Sequence, residues 1–128
     1  MTRLLAIMMV LALAGGCLVP SPSPMAVTRL YCGMNGVGGP ITDARFIKFV
    51  DEEVTPRFPD GLTIYDCRGQ WRGQDGRLIR EQSRVIEIVH SDDPSSRAAI
   101  EAIRGRYKSC FSQESVLLMR SRPAMTSF

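Results

Sequence analysis

The stretch Val54–Trp71, V-T-P-R-F-P-D-G-L-T-I-Y-D-C-R-G-Q-W, leaves a chain little choice of path. Pro56 has no amide hydrogen to give a helix and biases Thr55 away from the α region, so a helix arriving at Val54 is expected to end there. Phe58-Pro59-Asp60-Gly61 is a turn with a mechanism: the proline presets one φ and the glycine accepts positive values. Leu62 to Arg72 then reads as a strand running into Gln74-Asp75-Gly76, which suits a three-residue hairpin loop with Gly76 left-handed. That loop fixes a register in which Gly73 faces Arg77, Tyr65 faces Val85, Ile64 faces Ile86 and Leu62 faces Ile88. Leu62, Ile64, Ile86 and Ile88 then share one face of the sheet. Tyr65, Cys67, Trp71, Ile79 and Val85 share the other, and a slip of one residue would scramble both sets.

The flanking segments supply the remaining elements. Val27 to Met34 reads as a first strand, and Gly33 to Pro40 as a glycine-rich loop. That loop has no G-K-[ST] after it, so it is read as a turn that needs positive φ values and not as a phosphate cradle. Thr42 is a sound N-cap, with Asp43 in the first turn. Phe46, Phe49, Val50 and Val54 follow at helical spacing. Asp93 caps a second helix with Pro94 in its first position, and Ile100, Ile103, Tyr107 and Phe111 mark its buried face. Val116 to Met119 forms a last strand. The order β-α-β-β-α-β predicts an α+β, ferredoxin-like fold: a four-stranded antiparallel sheet in the order 4-1-3-2 with two helices on one face. In that topology the second helix passes over the first strand, so any disulfide is expected between Cys32 and Cys110.

The N-terminus reads as a targeting segment. Arg3 precedes an apolar run, Leu4 to Ala14, which is shorter than the roughly 20 residues needed to span a bilayer but suits a secretory leader. Leu13-Ala14-Gly15-Gly16-Cys17 resembles a lipobox, with Cys17 as the acylated residue. Ordinary cleavage after Ala14, leaving a soluble periplasmic protein, stays open beside it. The expected organisation is a leader over 1–17, a Pro/Ser-rich spacer over 18–25 and one domain over 26–128. Leu18 after the cysteine points to an exported protein anchored by lipid to the outer membrane and facing the periplasm.

Composition excludes more than it suggests. The formal charge of +3 is small and both signs are interspersed, so no nucleic-acid surface is announced. One histidine and dispersed cysteines lack metal-ligand spacing, and neither G-x-S-x-G nor an acid/base carboxylate pair is identifiable; no cofactor is expected. His90, beside Asp92 and Asp93 at a strand end, is expected to be solvated or to cap. Arg57 and Asp60 look catalytic but sit where a helix stops and the chain turns. Arg68, Arg72, Arg77, Arg80 and Arg84 crowd the hairpin and read as a solvated face, with an anionic lipid or polymer as the rival.

The uncovered sheet face is the candidate binding surface, carrying Tyr65, Cys67, Trp71, Arg84, Val85 and Glu87. Exposed apolar sheet faces are normally covered by something: a second copy in a homodimer, a small ligand, or the C-terminal tail. The leading expectation is a non-enzymatic, membrane-tethered binding module that uses this face. The alternative is a small cofactor-independent enzyme of the dimeric α/β-barrel kind, with Tyr65, Glu87 and Arg84 as its first candidates.

Thr55-Pro56-Arg57-Phe58-Pro59-Asp60-Gly61-Leu62-Thr63, Gly69-Gln70-Trp71-Arg72, Asp75-Gly76 and Gln113-Glu114-Ser115-Val116-Leu117 together resemble the bacterial family called domain of unknown function 3574. Ala102-Ile103-Arg104 and Tyr107-Lys108 fit its second helix. The family comprises small secreted proteins often labelled lipoproteins. The resemblance covers the chain after the spacer and implies no catalytic residues.

Overall fold

The computed structural model describes residues 24–124 and residue 127. The expected leader, Cys17 and nearly all of the spacer lie outside the described residues. Strand β1 (Met25–Gly33) is followed by a small ribbon, β2 (Asn35–Gly36) against β3 (Gly39–Pro40), where a plain loop was expected. Helix α1 (Asp43–Phe49), a π-helical turn (Val50–Val54), strands β4 (Thr63–Arg72) and β5 (Leu78–Ser91), helix α2 (Pro94–Phe111) and strand β6 (Leu117–Ser121) complete the order. The main sheet runs β4-β5-β1-β6 with every neighbour antiparallel. This is the expected β-α-β-β-α-β topology and strand order.

The hairpin register is the one the loop dictates. Tyr65 pairs with Val85 and Ile64 with Ile86, and the Gly73 amide donates to the Arg77 carbonyl at 3.0 Å. Gly76 takes φ +78, a left-handed value that glycine adopts without Cβ strain. One side of the sheet then packs on the helices. Leu30, Ile86 and Ile88 join Phe46, Phe49, Val54, Ile100, Ile103, Tyr107, Phe111 and Val116 in a single core, with Leu62, Ile64 and Leu118 against it. Inside the core the Tyr107 ring stands edge-on to Phe49 at 5.2 Å. Its hydroxyl donates to the Gly33 carbonyl at 2.8 Å, so the buried phenol is satisfied.

The first helix does not end as expected. Thr55 stays in the α region, at φ −54 and ψ −42, and its amide reaches back five residues to the Val50 carbonyl. A proline ring clashes with the carbonyl four residues before it. The wider π turn gives Pro56 its place while Val50 and Val54 remain buried. Both N-caps are as read: Thr42 accepts from the Arg45 amide and Asp93 from the Ser96 amide.

Candidate functional site on the open face of the sheet

Strand pairing assembles the uncovered face in rows. Tyr65, Val85, Tyr31 and Leu117 lie across the four strands in one row, and Thr63, Glu87, Arg29 and Met119 in the next. Glu87 sits at the centre. One carboxylate oxygen accepts the Tyr65 hydroxyl at 2.7 Å and the other meets Arg29 Nε at 2.5 Å. The hydrogen bond to Glu87 raises the Tyr65 pKa above the usual tyrosine value, because it favours the protonated phenol. Around this charged centre the face is apolar and open: Tyr65, Val89, Leu117 and Met119 are exposed, Leu117 to 57%.

The expected site residues divide. Tyr65 and Glu87 come together, and Val85 lies between the two tyrosines, already buried. Cys67 is half-buried opposite Ser83, and burial, then the nearby Asp66 charge, pushes its thiol pKa up. It is held as a thiol and not as a reactive thiolate. Trp71 pairs with Ile79 at the far end, where its indole N–H donates to Glu81 at 3.0 Å. Arg84 is not on this face. Its even position turns it to the helix side, where it bonds Asp66 and Asp43 at 2.7 Å each and lies 4.9 Å over the Phe46 ring. The arginine of the open face is Arg29. Only the β1–β5 register reveals it, and no hairpin turn joins those two strands to announce that register in the sequence.

The cysteines expected to pair do not meet. Cys32 is buried in the core, Cys110 is exposed, and both are free thiols. Tyr107 and Phe111 take the inward positions of α2 and leave Cys110 on its outer surface.

A cavity of about 780 Å³ adjoins the open face at the Met25 end of the sheet. Thr63 and Val89 belong to both, and Phe58, Pro59, Asp60 and His90 form further walls. The Thr55–Thr63 motif therefore shapes a cavity as well as turning the chain. His90 is neither solvated nor a cap. It is buried, with Nδ1 2.9 Å from the Ser91 carbonyl and Nε2 2.8 Å from Thr28 Oγ1. A carbonyl only accepts, so Nδ1 carries a proton, and in the neutral ring Nε2 accepts from the threonine hydroxyl. Both nitrogens are occupied. Among the described residues no three His, Cys, Asp or Glu side chains are grouped to hold a metal ion, and no helix is long and apolar enough to cross a membrane.

The profile of the family described as protein of unknown function (DUF3574) matches residues 27–128. The chain belongs to that family. No protein of curated function matches in sequence. Solved structures share the family member's fold. A phage SAM lyase in complex with S-methyl-5'-thioadenosine aligns at TM-score 0.63 and 18% identity, over 78% of this chain and 82% of the lyase. CutA from Synechococcus elongatus PCC7942 aligns at TM-score 0.52 and 11% identity, over 79% of this chain and 78% of CutA. CutA1 from Oryza sativa aligns at TM-score 0.56 and 9% identity, over 84% and 87%. At these identities the likeness is one of fold.

Proposed function

We propose that this chain is an exported binding module, lipid-anchored at Cys17 to the outer membrane and facing the periplasm, that engages its partner on the open sheet face around Glu87. The observation that carries the reading is the Tyr65–Glu87–Arg29 line set inside exposed apolar side chains. A saturated ion pair fixes orientation, and apolar area around it supplies the driving force. A second copy in a homodimer is the first partner to test.

The decisive measurement is sedimentation equilibrium of the mature protein beside its Leu117→Asp variant. Self-association lost in the variant supports a copy-to-copy interface. A monomer at all concentrations, with no small molecule retained in native mass spectrometry, overturns the open-face reading. Radiolabelled palmitate incorporated by the full chain and lost in Cys17→Ala tests the anchor.

A second reading makes the same face an enzyme pocket. It is favoured by one contact, the Tyr65 hydroxyl 2.7 Å from Glu87, on a face that runs through Thr63 and Val89 into a cavity of about 780 Å³ whose walls include neither Tyr65 nor Glu87. That geometry suits proton transfer to or from a bound molecule. The lyase likeness supplies a probe: calorimetric titration with S-methyl-5'-thioadenosine, where saturable heat abolished by Glu87→Gln would favour the enzyme.

A further inference from the structure

The β4–β5 hairpin is longer than the sheet that carries it. Strand β5 pairs with β1 as far as Ser83 opposite Gly33, the Met34 amide adds one more bond to the Gln82 carbonyl at 2.9 Å, and from Glu81 to Leu78 the strand runs on with β4 alone. At about 3.4 Å per residue those four residues form an arm of about 14 Å. It stands at the opposite end of the sheet from Met25, where the N-terminal segment joins.

The helix-side face of this arm is basic. Arg68 pairs with Gln82, Arg80 with Gln70 and Arg72 with Leu78, so successive rows each bring one guanidinium to the same face. Rows two residues apart lie about 7 Å from one another. Arg77 adds a fourth in the turn. All four are exposed, and none is in an ion pair with another described residue. Most other arginines are neutralised: Arg29 by Glu87, Arg84 by Asp43 and Asp66, Arg106 by Glu53, Arg122 by Asp92. The carboxylates nearest the arm keep their charge but bond neutral N–H groups, and no ion pair joins them to these arginines. Asp75 accepts the Arg77 amide, Glu81 the Trp71 indole and Glu114 the Gln74 amide.

The arm also has a shape. Arg68, Gly69, Gln70, Arg80, Glu81 and Gln82 line a cleft of about 450 Å³, in which two guanidiniums outnumber the one carboxylate and Arg80 Nε is held by Gln70 at 3.0 Å. Guanidinium forks and amide groups around a cleft are donors suited to oxyanions. We infer that the β4–β5 arm binds an extended polyanion, a polymer whose carboxylate or phosphate groups run along the Arg68–Arg80–Arg72 ladder into the turn at Arg77. A flat anionic membrane fits less well, because the arginines follow one another along one face of a narrow arm and two of them, Arg68 and Arg80, line a cleft. This site lies on the opposite face from the one proposed above, so the two succeed or fail separately.

The test is fluorescence anisotropy of the mature protein with labelled poly-L-glutamate and, separately, labelled polyphosphate. Binding to either polymer should weaken roughly 100-fold when Arg68, Arg72, Arg77 and Arg80 are all changed to Gln, at a few-fold for each charge-assisted contact. A control variant with Arg45, Lys48, Lys108 and Arg120 changed to Gln loses the same charge elsewhere and should bind nearly as wild type. Far-UV circular dichroism and melting confirm that both variants fold. Equal loss in the two variants would reduce the effect to net charge and overturn the site. So would binding to phosphatidylglycerol vesicles without binding to either polymer, or no binding to either polymer at low salt.

Discussion

The two faces of one sheet, built from alternate residues of the same strands, are put to opposite uses. On the helix side Ile86 lies between Ile64 and Leu30 and is fully buried. One residue along, Glu87 lies between Thr63 and Arg29 and commits its carboxylate to Tyr65 and Arg29. The covered face carries the stability, since apolar burial is the dominant favourable term in folding. The open face carries charge it does not need for folding, beside apolar side chains it does not bury. Side chains that folding leaves exposed in this combination are the ones available for recognition.

The sharpest way to break the comparison is to truncate one residue on each face. Ile86→Ala should cost about 2–5 kcal/mol in chemical denaturation, whereas Leu117→Ala should stay within about 0.5 kcal/mol. Equal costs would mean that something already covers the open face within the chain. Next in size is the buried polar contact behind the sheet. Thr28→Val leaves His90 Nε2 without a donor and should cost about 1–3 kcal/mol, read as a lower urea midpoint at unchanged slope.

The open face should also differ from the rest of the molecule in its response to pH. Glu53 is held below the usual carboxylate range, first by its hydrogen bond from Arg106, and Asp92 likewise by Arg122. A depressed folded pKa contributes stability above the unfolded value that is lost as pH falls through the folded one. Glu53→Gln and Asp92→Asn should therefore flatten the acid limb of a melting-temperature profile. Tyr65 is shifted the other way by Glu87. Its contribution is complete below the ordinary tyrosine pKa of about 10 and is lost as pH rises through the higher folded value. Tyr65→Phe should therefore lower the melting temperature by a constant amount below about pH 10 and flatten the alkaline limb, the two profiles converging as pH rises through the folded value. Glu87→Gln is also expected to be small in stability, under about 1 kcal/mol, because its partners are partly exposed. Its effect should appear in open-face association instead, and a large loss of stability would identify Glu87 as structural.

Much of the fold was legible from local chemistry. The Gly76 loop set the β4–β5 register, the caps Thr42 and Asp93 set two helix starts, and alternation told the faces apart. The site was half legible. Tyr65 and Glu87 could be placed because the hairpin joining them is continuous in sequence. Their arginine could not, since Arg29 reaches Glu87 only through a pairing between strands far apart in the chain. Arg84 is close to Glu87 in sequence, but strand parity sends it to the other face.

The sequence alone determined what short-range sterics and hydrogen bonding decide: where the chain turns, which residues alternate inward, and which family the Thr55–Thr63 motif marks. Tertiary structure decided the rest. It packed Thr28 against His90, turned Cys110 away from Cys32, and widened the helix before Pro56 into a π turn. It also brought Arg29 to Glu87 while leaving Arg68, Arg72, Arg77 and Arg80 without ion partners among the described residues. Those outcomes depend on which distant groups compete for the same space and charge, and that competition exists only once the sheet has formed.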